Sequence, residues 1–109
     1  GLMRLKRLAL FYNEIGDDGV QSLASAFTGG AFRDLEYLNL GGNAIGDAGV
    51  TAIAAELEKG ALPELKHLFL WMNQIGDEGM KALMAAANNG RLAKLVTLYL
   101  DKNETKLVY

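Results

Sequence analysis

His67 is the only imidazole in the chain of 109 residues. An imidazole beside a hydroxyl is the beginning of a nucleophile–base pair. Tyr37 and Thr97 each stand 30 positions from it, so a fold with that period brings both beside it. A hydrolytic site also needs a carboxylate that orients the base and an activated nucleophile. Neither occurs at the corresponding positions, and Ser22 and Ser25 fall in a helical stretch that cannot reach His67. No catalytic residue is assigned, and the chain is not read as an enzyme.

The other chemistry-bearing residues read structurally. Asp17, Asp47 and Asp77 recur at the same interval, but a calcium site needs six or more oxygens converging on one ion. One carboxylate per unit, just before a helix, fits capping of that helix instead. The glycines form neither phosphate-cradling pattern, G-x-x-x-x-G-K-[ST] or G-x-G-x-x-G; Gly16, Gly46 and Gly76 read as turns needing permissive backbone. Asn103, Glu104 and Thr105 match a glycosylation acceptor, discounted because Asn103 belongs to a recurring asparagine column. No metal and no cofactor is expected.

Eleven basic against thirteen acidic residues give a formal charge of −2. That balance supplies no basic face for nucleic acid and no polybasic segment for an anionic membrane. No apolar run approaches the roughly 20 residues of a membrane span. With no cysteine, disulfides and thiolate metal sites are excluded, and the composition fits a reducing, cytoplasmic setting.

What must position these residues is a repeat. At an offset of 30, Leu5, Leu35, Leu65 and Leu95 superpose, as do Leu8, Leu38, Leu68 and Leu98, then Leu10, Leu40, Leu70 and Leu100, then Asn13, Asn43, Asn73 and Asn103. Each unit opens as L-x-x-L-x-L-x-x-N-x-I, whose alternation predicts a strand with one buried face. Strands are expected near 5–11, 35–41, 65–71 and 95–101. The second half has helical spacing: Val20, Leu23, Ala24, Phe27; then Val50, Ile53, Ala54, Leu57; then Met80, Leu83, Met84, Ala87. Helices are expected near 18–28, 48–59 and 78–89, with Gly30, Gly60 and Gly90 in left-handed conformations past their ends. A unit this short cannot bury a core alone, so the units must stack. Strands lie about 4.8 Å apart, helices about 10 Å. The stack therefore curves into an α/β fold, a right-handed βα solenoid with parallel strands on the concave face and helices on the convex face.

The run from Leu35 through Leu38, Leu40, Asn43, Ile45, Gly46 and Gly49 to Val50 resembles the long, helix-bearing leucine-rich repeats of ribonuclease inhibitor. It is also similar to those of NOD-like receptors and the Ran GTPase-activating protein. The period of 30 is slightly longer than the roughly 20–29 usual for such repeats, and the loops around Gly30, Gly60 and Gly90 accommodate the excess. The resemblance implies a non-catalytic module that binds a protein partner. It also raises the alternative of a small-GTPase regulator. That alternative needs an arginine on a loop leaving a strand, and Arg4, Arg7, Arg33 and Arg91 all lie elsewhere. A structural spacer is the third reading.

Alternation sends the remaining strand residues to the concave surface. The candidate partner-binding set is Arg7, Phe11, Tyr12, Tyr37, Asn39, His67, Phe69, Trp71, Met72, Tyr99 and Asp101. It holds most of the aromatic residues, and exposed aromatics mark interfaces. Gly41 and Gly42 are expected to leave a dip beside Phe69, Trp71 and Met72. The whole chain, 1–109, reads as one domain cut from a longer array, with Gly1 to Arg4 matching the loop before each later strand. Solenoid ends without a polar cap expose core, so self-association through them is expected.

Overall fold

The computed structural model describes residues 4–107. Gly1, Leu2 and Met3 of the expected linking loop, together with Val108 and Tyr109, lie outside the described residues. The chain runs β1 (Arg7–Ala9), α1 (Gly16–Ala24), a 3-10 turn (Gly30–Phe32), β2 (Tyr37–Asn39), α2 (Asp47–Glu58), β3 (His67–Phe69), α3 (Asp77–Asn88) and β4 (Thr97–Tyr99). The four strands form one parallel sheet in sequence order. Arg7 pairs with Tyr37, Tyr37 with His67 and His67 with Thr97, so the sheet register is the sequence period itself. This is the βα solenoid the repeat predicts.

The leucine columns build the interior. Leu35, Leu38, Leu40, Leu68 and Leu70 have no exposed surface, and the helices close over them with Val20, Val50, Ile53, Leu57 and Leu83. The same columns in the outer units, Leu5, Leu8, Leu10, Leu95, Leu98 and Leu100, are only partly covered. Helix α2 packs between α1 and α3.

Asparagine ties the units together. Asn43 Oδ1 accepts the N–H of Asn13 at 2.8 Å and of Ile15 at 3.2 Å. Its Nδ2 donates to the carbonyls of Leu10, Leu40 and Gly41. Asn73 repeats the pattern one unit on. Asn103 donates to Leu70 and Leu100 and accepts from Ile75, so its amide is engaged in the fold.

Several expectations need correction. The strands are three residues long, not seven. The regular ladder ends because Tyr12, Gly42, Met72 and Lys102, the column two residues past the last leucine, all turn left-handed, with φ of 60°, 65°, 52° and 60°. Helix α1 stops at Ala24 rather than near 28. There the Ser25 hydroxyl donates back to the Ser22 carbonyl at 2.7 Å, and i→i−3 bonds at Ala26 and Phe27 tighten the chain. Gly60 and Gly90 are left-handed as expected, at 93° and 81°, but Gly30 instead begins the 3-10 turn.

The aspartates do not cap their own helices. Asp17 Oδ1 accepts the N–H groups of Gly46 (2.7 Å) and Gly49 (2.9 Å), at the start of α2. Asp47 does the same for Gly76 and Gly79 at the start of α3, at 2.7 and 2.9 Å. The carboxylates of Asp17 and Asp47 each lie in the first turn of their own helix and point across to the next. This also explains Gly46 and Gly76, which are extended rather than left-handed. A Cβ at either would crowd the incoming carboxylate, at 3.2 and 3.1 Å.

Candidate protein-binding surface

The concave face is lined where alternation turns side chains away from the leucines. Along the sheet, Arg7, Tyr37, His67 and Thr97 form one row, and Ala9, Asn39, Phe69 and Tyr99 the next. In the first aromatic group, Tyr37 and Phe69 have ring centroids 5.2 Å apart. His67 stacks on Phe69 at 6.5 Å with planes 22° apart, and Phe69 meets Tyr99 at 6.3 Å. The Arg7 guanidinium carbon lies 3.6 Å from the Tyr37 ring centroid, a cation–π contact. His67 thus sits among rings, beside Tyr37 and Phe69.

The second group lies at the strand exits. Trp71 meets Tyr12 edge-on at 5.3 Å and Phe11 at 6.2 Å. The Tyr12 hydroxyl donates to the Met72 thioether at 3.4 Å. Tyr12 is 61% exposed, Phe11 and Tyr99 47%, and Met72 43%; Trp71, Phe69, Tyr37 and His67 are half-buried. Asp101 is exposed and joins Trp71, Met72, Tyr99 and Lys102 around a hollow of about 300 Å³. A second hollow of about 400 Å³ lies between Tyr12, Gly42, Met72, Gln74 and Lys102.

Two expectations about this face are corrected. Gly41 leaves no dip, and Gly42, though capped by Tyr12, lines the open hollow beside Met72. The Trp71 indole covers Gly41, where a Cβ would stand 2.2 Å from the ring, and the Tyr12 ring covers Gly42, where it would stand 2.5 Å away. The missing side chains admit the protein's own rings. Asn39 does not line the open surface either: it is 6% exposed. Its Nδ2 donates to the Tyr37 hydroxyl and its Oδ1 accepts the Gly41 N–H, so it braces the strand exit from beneath the rings.

Lys102 and Gln74 were missing from the candidate set. Lys102 borders both hollows and shares the column of Tyr12 and Met72, so its place is readable from the period. Gln74 lies past the strand, where alternation no longer says which way a side chain points. Among the described residues no three or more histidine or carboxylate side chains gather where they could hold a metal ion.

The sequence profile described as Leucine Rich repeat matches residues 2–24, 33–54 and 63–84, together more than half of the chain. The chain belongs to the leucine-rich repeat family. Each match covers the strand, the asparagine turn and most of the helix of one unit. Leucine-rich repeats commonly mediate protein–protein contacts and are typically non-catalytic. No curated protein sequence matches the chain. No helix among the described residues is long and apolar enough to cross a membrane.

Proposed function

We propose that this segment binds a protein partner on its concave face, through Arg7, Phe11, Tyr12, Tyr37, His67, Phe69, Trp71, Met72, Tyr99 and Asp101. The observation that carries this reading is the cluster of Phe11, Tyr12, Trp71 and Met72, whose exposed members gather on one surface. The fold needs the leucines behind these rings, not the rings themselves. Aromatic and arginine side chains are the usual energetic anchors of interfaces. The charges on this face, Arg7, Asp101 and Lys102, are of mixed sign, which favours a protein over a nucleic acid or an anionic membrane.

The repeats read as the ribonuclease-inhibitor-like subclass because each of the first three units carries an α-helix, and the lack of cysteine favours a reducing compartment such as the cytoplasm. No arginine stands in the loops leaving the strands, so nothing favours GTPase regulation.

The test is Trp71→Ala in affinity capture, with identified partners then titrated. The variant is expected to keep its circular-dichroism spectrum and lose about 2 kcal/mol or more of binding. Unchanged affinity removes Trp71 from the surface.

A further inference from the structure

Met72 differs from the other methionines of the described residues. It is 43% exposed while Met80 is 2% exposed, and Met84 packs against the core. Its backbone is held left-handed at φ 52°, which lifts the side chain out of the sheet at the strand exit. The thioether then stands between the two hollows, both of which it lines. From the first repeat, the Tyr12 hydroxyl reaches the sulfur at 3.4 Å.

We propose that Met72 is a site of oxidation by hydrogen peroxide and that Tyr12 makes the reaction stereoselective. A sulfur lone pair attacks a peroxide oxygen; the S–O bond forms as the O–O bond breaks. Sulfur loses two electrons, the peroxide is reduced, and the proton on the transferred oxygen passes to the departing hydroxide, leaving a sulfoxide and water. A thioether has two lone pairs, and attack through one or the other gives opposite configurations at sulfur. The Tyr12 O–H occupies one of them. The other is free, so one sulfoxide epimer forms in excess, with its oxygen turned away from Tyr12. That oxygen sets a polar group amid the apolar lining beside Trp71 and weakens contact with an apolar partner. This last consequence rests on the concave-face reading; the site and its stereochemistry do not.

The full chain is treated with hydrogen peroxide and digested, and the peptides are quantified by mass spectrometry. They are then exposed separately to the two methionine sulfoxide reductases, each specific for one epimer. Met72 is expected to oxidise at least about tenfold faster than Met80, as its accessibility dictates. One reductase should restore about five times more Met72 than the other, the ratio that a single modest hydrogen bond sustains. Tyr12→Phe keeps the ring over Gly42 and removes the donor, so its epimer ratio should approach one. Equal oxidation of Met72 and Met80 in the folded protein overturns the proposal. So do equal epimers in the unaltered chain, or a bias that survives in Tyr12→Phe.

Discussion

Asn43 shows what one side chain contributes here. The strand must turn out of the sheet after Leu40, and that turn strands backbone N–H and C=O groups in the interior, where water cannot reach them. The amide of Asn43 accepts two N–H groups and donates to three carbonyls, across two repeats. Asn43→Ala is expected to destabilise the protein by about 1–3 kcal/mol, the cost of leaving buried polar groups unpaired. Asn13→Ala should cost less, because Asn13 is exposed and water replaces its bonds. Urea-unfolding midpoints of the two variants test the order; equal losses would mean that burial does not set the cost. The asparagine column is plain in the sequence because it recurs every 30 residues. The burial of Asn39 is not: alternation assigns a face, and only the rings of Tyr37 and Phe69 decide whether that face is open at a given residue.

At the scale of elements, the helices are coupled through their first turns. The sequence places an acidic residue at each helix start, which ordinarily means a cap on that helix. The actual partner is the next helix, because stacking sets the amides of Gly76 and Gly79 within reach of Asp47. Local spacing carries no information about distance between units, so this contact is invisible to a pattern read along one unit. Asp47→Ala is expected to cost about 0.5–2 kcal/mol, the range for a lost helix cap. Amide exchange should accelerate at Gly76 and Gly79 rather than at Gly49 and Val50. Faster exchange at the start of α2 alone would restore the own-helix reading. Asp77 extends the series to the last segment: its carboxylate accepts the Lys106 N–H and the Thr105 hydroxyl. The Lys106 N–H above all, then the Thr105 hydroxyl, holds its pKa below the ordinary aspartate value. A folded-state pKa lower than the unfolded one stabilises above the unfolded value and is lost as pH falls through the folded one. Docking of residues 104–107 should therefore persist at neutral pH and weaken as pH drops below about 4. Asp77→Asn should blunt that dependence. Amide shifts of Thr105 and Lys106, followed by NMR against pH, test it; shifts identical in the two proteins would refute the role of Asp77.

Across the described residues, each repeat is stable only through its neighbours, and the first and last repeats of the 109-residue chain have one neighbour apiece. Strands β1 and β4 each pair on a single side. Leu95, Leu98 and Leu100 are partly covered where Leu65, Leu68 and Leu70 are buried, and Val96 is 75% exposed. A second copy stacked head to tail in the register of the sheet would cover these leucines with Leu5, Leu8 and Leu10. The same register sets Lys94 beside the second copy's Arg4 and Glu104 beside its Glu14. Within the chain, Arg4 pairs instead with Asp34, and Lys94 with Glu64. Apolar burial therefore favours end-to-end association, while like charges oppose it. Salt screens exposed charges, with a Debye length of about 10 Å at 0.1 M shrinking to about 3 Å at 1 M. Sedimentation equilibrium should show association that rises with both protein and salt concentration. Lys94→Glu, which creates an attraction to Arg4, should raise it at low salt. A monodisperse monomer with one sharp melting transition under all these conditions would show that the open strand edges do not drive assembly.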